Sequence, residues 1–357
     1  MVDDAIAFCG GIDMTAERWD TQRHNDNDPN RRRPSGRAYR PFHDATAVVG
    51  GPAARALGDL ARERWRRATG EVLLTPPWPP AAEDDPWPTG LAPRLRGVEV
   101  AIARTEPAGR GQPESREVEA LWLAAIAAAC RTIYVECQYF AARCVGEALA
   151  ARLAQPDGPE VVVVTPRYAE GWLAGRVMDG ARRRLLEHMR RADRFDRFRI
   201  FAPVTAAGDP IYVHAKVLTV DDRLLRIGSA NLNNRSMGLD TECDLAVEAG
   251  SGDRMESEIR RAILSFRNTL LAEHLGSESA RVADVLAQNG GSLIQAIQTL
   301  RSPTGRTLVE LGTPEPGKGE PLAESELLDP ERAEPAWIAF RHLVASRITG
   351  ARRRSQT

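Results

Sequence analysis

Shifted by 218 residues, the chain lines up with itself: Val2-Asp3-Asp4 falls on Val220-Asp221-Asp222, and Gly10-Gly11-Ile12-Asp13 falls on Gly228-Ser229-Ala230-Asn231. A further two-residue shift brings Asp20-Thr21 onto Asp240-Thr241. A self-match of domain size restricts the chain to folds assembled from two related lobes. The second copy carries His214-Ala215-Lys216 just upstream of its Asp221. By the same offset the counterparts of His214 and Lys216 fall five and three residues ahead of Met1, so the chain is expected to start inside its first copy.

Residues i and i+2 of a strand project to one side. On a strand running Ile211 to Val220, His214 can therefore offer a nucleophile or a proton to the same oxyanion that meets the ammonium of Lys216. The chain has 46 arginines and two lysines, Lys216 and Lys318, so its choice of lysine here is physical: a compact ammonium, not a planar fork. Downstream, Gly228, Ser229, Asn231, Asn233, Arg235 and Glu242 complete a constellation whose parts each have a task. A phosphate-attacking histidine needs a carboxylate on its other nitrogen, and Glu242 is the candidate. Lys216, Ser229 and Asn231 can donate to nonbridging oxygens.

Composition narrows the rest. With 357 residues, 43% hydrophobic and 27% charged, the chain can bury a sizeable core. A formal net charge of −1 gives no footprint for nucleic acid. Five cysteines without a C-x-x-C pair favour reduced thiols in a cytoplasmic protein. No apolar run reaches membrane-span length, so contact with a membrane would be peripheral. No cluster has metal-ligand spacing, and the chemistry requires neither metal nor other cofactor. His188, His274 and His342 read as structural.

Alternating strands and helices predict an α/β fold, with strands at Ala5–Cys9, Gly97–Ala103, Thr132–Glu136, Val161–Thr165, Phe198–Pro203, Ile211–Val220 and Leu224–Ile227. Helices are expected at Gly51–Thr69, Arg116–Cys130, Ala142–Ala154, Leu173–Ala192 and from Ser251 to about Ala287. Residues Thr15 to Arg40 read as a long loop. The domains expected are 1–75, a remnant of the first lobe; 76–96, a proline- and tryptophan-rich linker; 97–287, the complete second lobe; and 288–357, a polar tail with a terminal helix. Gly312 to Gly319 mimics a phosphate-binding loop but fails, because Gly319 cannot ligate magnesium and two prolines remove amide donors. The arginines from Arg182 to Arg199 read as a solvated helix face rather than a membrane patch.

The run H-A-K-V-L-T-V-D with G-S-A-N-L-N-N-R-S resembles the signature of the phospholipase D superfamily. V-D-D-A-I-A-F-C-G-G-I-D-M-T with R-W-D-T resembles the downstream part of that family's first signature. Tyr39 to Asp44 and Tyr134 to Phe140 support the lipase branch. The resemblance, over residues 1 to 275, implies two similar α/β/α sandwich lobes with mixed sheets, the first incomplete. It implies a phosphodiesterase or phosphatidyltransferase acting through a phosphohistidine on a phospholipid at a membrane surface, with water or an alcohol as acceptor. His214 would be the second histidine, mainly a general acid, and Asp44 would orient the absent first one. Asp3, Gly10 and Asp13 would be what remains of the first motif. A cardiolipin-synthase-type transferase is the neighbouring alternative; a catalytically inactive lipid-binding remnant is the alternative of another class. A nuclease is disfavoured for want of a basic groove.

Overall fold

The computed structural model describes residues 1–77, 87–109, 112–169, 172–252, 254–312 and 329–331. In chain order the elements are β1 (Ile6–Gly10), β2 (Phe42–His43), β3 (Thr46–Gly50), α1 (Gly51–Thr69), β4 (Ala101–Glu106), β5 (Ser115–Arg116) and α2 (Glu117–Ala128). Next come β6 (Thr132–Glu136), α3 (Arg143–Leu153), β7 (Glu160–Val164), α4 (Trp172–Ala192), β8 (Phe198–Val204), β9 (Tyr212–Val213), β10 (Val217–Val220) and β11 (Leu224–Gly228). Last are α5 (Asn234–Gly238), β12 (Glu242–Glu248), α6 (Glu256–Leu275), α7 (Ser279–Gln288), α8 (Leu293–Leu300) and β13 (Thr307–Glu310).

A strand such as Val161-Val162-Val163-Val164 has no polar face, so it must be covered on both sides. Ile133, Val135, Val161 and Val163 meet Trp122, Val145, Leu149, Leu186 and Met189 on one face. The alternate residues Tyr134, Val162 and Val164 meet Leu270, Leu271, Val282, Val285, Leu293 and Ile297 on the other. The result is an α/β/α sandwich around a mixed nine-stranded sheet of order β13-β8-β7-β6-β10-β11-β12-β4-β5. Only β6, β7 and β8 run parallel to their neighbours in it, joined through α3 and α4. The five cysteines are free thiols.

The repeat has a structural counterpart. The strands β1 and β11 are 218 residues apart at both ends. Each pairs antiparallel with a partner, β1 with β3 and β11 with β12, in registers that set Gly10 opposite Thr46 and Gly228 opposite Asp244. Two residues before those partners stand Asp44 and Glu242, so the two carboxylates occupy equivalent places. The path from glycine to partner is twenty residues longer in the first copy. That insertion explains why linear alignment pairs Asp20-Thr21 with Asp240-Thr241 while the fold does not. Helix α1 opens with Pro52 in its first turn and stops at Gly70, whose φ of 81° suits only glycine. It packs Ala54 and Leu57 with Ala7 and Cys9 against Leu245.

The structure departs from the expectations in three places. The expected strand over Ile211 to Val220 breaks at His214-Ala215-Lys216, because β9 pairs with β2 while β10 pairs with β6 and β11. The sandwich extends past residue 287: Ser292 caps α8, and β13 forms the sheet edge beside β8. Arg182 is buried instead of solvated, donating to the carbonyls of Pro166 and Arg167. Residues 78–86 of the linker, the Thr313 to Gly319 stretch with Lys318, and the terminal helix with His342 lie outside the described residues.

Candidate active site

Parallel pairing of β2 with β9 builds the site. The His214 amide donates to the His43 carbonyl at 2.8 Å, which sets Asp44, the next residue, beside the imidazole. Asp44 Oδ2 lies 2.9 Å from His214 Nδ1, and both side chains are largely buried. A carboxylate on Nδ1 holds the proton there and turns Nε2 toward the open side. The group facing Nε2 is Asp13, whose Oδ2 is 4.0 Å away and also accepts from Arg18 at 3.1 Å. Phe42 and Tyr212 flank the ring, with centroids 5.6 and 6.4 Å distant.

Lys216 is buried and donates to the His214 carbonyl, with Gln138 Oε1 at 3.4 Å. Burial pulls its ammonium down to about 8, against the opposing pull of Asp44, Asp13 and Glu242. Gly11 makes room for it: a Cβ at that position would stand 2.6 Å from Lys216 Cδ. The break between β9 and β10 thus still delivers histidine and lysine to one place.

The carboxylate beside His214 is not the one expected from the sequence. Asp44, not Glu242, holds His214, because β2 lies against β9 whereas β12 lies across β11. Glu242 accepts from Ser229 Oγ and, at 2.6 Å, from Ser236 Oγ, and burial pushes its carboxyl up. Ser229 is therefore committed to Glu242, not free for phosphate. Asn231 Oδ1 is buried without a partner among the described residues.

Asp221 and Gly10, expected at the site, are scaffold. Asp221, at a φ of 53°, accepts the backbone amides of Cys130, Arg131 and Thr132 at 2.8–2.9 Å and so ties α2 to β6. Asp3 is exposed at the equivalent turn, while the neighbouring Asp4 pairs with Arg62. Gly10 packs against Thr46, where a Cβ would come 2.6 Å from its Oγ1.

A second cluster escaped sequence reasoning because its members come from four distant stretches. His24, His43 and Glu273 form one group able to hold a metal, and His43, Glu136 and His274 another. His274, read as structural and unpartnered, donates to Glu136 Oε1 2.9 Å away. The only available signals were His43 within the Y-R-P-F-H-D run and Glu136 within Y-V-E-C-Q-Y-F.

Residues 204–301 match the family model described as Phospholipase D. The chain is 25% identical over 374 positions to Phospholipase D alpha 2 of Oryza sativa subsp. japonica, covering 76% of this chain and 46% of that protein. It is 24% identical over 351 positions to Phospholipase D A of Dictyostelium discoideum, covering 77% and 26% respectively. The chain thus spans less than half the length of these two relatives. Among solved structures, the phosphatidylserine synthase of Haemophilus influenzae Rd KW20 aligns with a TM-score of 0.38 and 15% identity, over 70% of this chain and 57% of that one. The phospholipase D family member Nuc of Salmonella typhimurium aligns with a TM-score of 0.31 and 16% identity, over 48% and 94%.

Proposed function

For a member of the phospholipase D superfamily, we propose that this chain carries the acid half of a phosphodiesterase or phosphatidyltransferase site acting on phospholipids. The observation that carries the reading is the Asp44–His214 pair at 2.9 Å, with the buried Lys216 ammonium donating to the His214 carbonyl. In the first step a histidine from the first copy of the repeat attacks phosphorus. A P–N bond forms, the P–O bond to the leaving alcohol breaks, and that oxygen takes the proton from His214 Nε2. In the second step His214 recovers a proton from water or an acceptor alcohol, whose oxygen displaces the histidine. Glu242, equivalent to Asp44 in the repeat, would serve as the carboxylate for the attacking histidine.

A lipid substrate is favoured by the rim. Ile12 and Met14, exposed apolar side chains, flank Asp13 in sequence, and exposed Trp19 follows six residues on. The acceptor, water or alcohol, separates hydrolysis from a cardiolipin-synthase-type transfer on the same residues. The test uses phosphatidylcholine vesicles with the 357-residue chain and with one extended at its amino end by a His-x-Lys at the repeat offset. The extended chain releases choline, and forms phosphatidylethanol when ethanol is supplied, while the shorter one is nearly inert. A folded extended chain that does neither would refute the reading and leave a lipid-binding protein.

A further inference from the structure

Beneath the site, five side chains form a buried chain of contacts. Asp20 Oδ2 is 3.0 Å from His24 Nδ1, and His24 Nε2 is 3.1 Å from Glu273 Oε1. The same Oε1 is 2.7 Å from His43 Nδ1, and His43 Nε2 is 2.7 Å from Glu136 Oε2. All five side chains are at most 9% exposed. Each imidazole therefore has a carboxylate oxygen on both nitrogens, yet a neutral imidazole has one N–H to give. Two imidazolium rings, 6.0 Å apart, satisfy these contacts, as does one cation in place of their inner protons.

Charge poses the same choice. Asp20, Glu136 and Glu273 bring three carboxylates into a dry space. Arg31 answers Asp20 at 3.1 Å, while Arg306 donates to the backbone carbonyls of Glu273 and Arg23 at the margin. Buried carboxylates need compensating positive charge. The arrangement also has the form of a metal centre with its supports. Each ring offers an inner nitrogen to the shared centre and donates its outer N–H to a carboxylate, the partnership that fixes tautomer and ring angle in metal-bound histidines. The three ligand atoms all lie within 4.8 Å of one another, close enough to converge on one ion with bonds of about 2.0–2.2 Å.

We propose that His24 Nε2, His43 Nδ1 and Glu273 Oε1 bind one divalent transition-metal ion of the zinc class, supported by Asp20 and Glu136. Two imidazoles with one carboxylate select a borderline cation over calcium or magnesium, which prefer all-oxygen shells. The ion takes no part in phosphate chemistry and the inference does not depend on it. Its task is to pin the segment from Gly11 to Pro41, which has no named strand or helix, to β2 and α6. Irregular segments of that length are uncommon in a compact fold.

The test begins with metal analysis of the purified full chain by inductively coupled plasma mass spectrometry, expected to find a single zinc per chain. Exhaustive chelation should lower the melting temperature, and Zn2+ should restore it. Chelated protein reloaded with Co2+ should show the visible bands of a nitrogen- and oxygen-ligated tetrahedral ion. His24→Gln and Glu273→Gln should each lose the metal. Because a variant can fail to fold, the wild-type chelation and cobalt measurements decide by themselves. A folded, metal-free chain whose melting ignores Zn2+ and whose Co2+ spectrum stays that of the aqueous ion overturns the proposal and makes the cluster a pair of imidazolium rings.

Discussion

At the residue scale, the exchange of Asp44 for Glu242 makes a specific claim about His214. In the extended chain His214→Ala should lower turnover on phosphatidylcholine by at least about a thousandfold, the scale of losing a positioned acid and its hydrogen bonds. Asp44→Asn should approach that loss, since the amide cannot hold the same tautomer. Choline release measured side by side checks both; an Asp44→Asn enzyme of near-wild-type rate would mean that the contact with His214 is incidental. Lys216 adds a pH test. Its ammonium, lowered to about 8 by burial, is charged below that value and lost above it. If the charge meets the phosphate, kcat/KM should fall by about tenfold per unit as pH rises past about 8. Lys216→Arg should abolish that limb, because a guanidinium stays charged, while lowering turnover by at least about a hundredfold through misplacement. A wild-type profile flat to pH 10 would remove Lys216 from phosphate binding.

Elements show how much could be read in advance. Helix α1 spans Gly51–Thr69 and strand β6 spans Thr132–Glu136, as expected, because a proline start, a glycine stop and a β-branched run are local signals. The strand β12 and the His24–His43–Glu273 cluster were illegible, since the first is specified by pairing with β11 and β4 and the second by approach of segments up to 249 residues apart. Among the site residues His214, Lys216 and Asp44 could be named, but which carboxylate serves which histidine depends on strands crossing, not on order. Asp221 belongs at this scale too. Asp221→Ala strips three buried amides of their acceptor, which should cost about 3 kcal/mol or more. The predicted readout is a lower urea midpoint with turnover per folded extended chain unchanged; a loss of rate without loss of stability would restore Asp221 to the chemistry.

For the whole molecule, overall charge is near neutral, so on the proposed reading the exposed apolar side chains near Asp13 are the candidates for contact with a bilayer. Met14 is fully exposed, and Met14→Asp combined with Trp19→Ala should reduce sedimentation of the chain with neutral phosphatidylcholine vesicles several-fold without changing its melting temperature. Unaltered sedimentation would move the lipid-facing surface elsewhere. No helix among the described residues is long and apolar enough to cross a membrane.

The two-residue pairing of β2 with β9 has a consequence in time. Strands β6, β7 and β8 are joined by short helical crossovers and can find one another quickly, whereas Asp44 reaches His214 across 170 residues of chain. Long-range closure is slow. The sandwich can therefore regain its ellipticity while the acid still lacks its partner. Refolding would pass through a compact species complete in shape but chemically idle, and a cleavage between the two strands that let the first segment drift would return the molecule to that state.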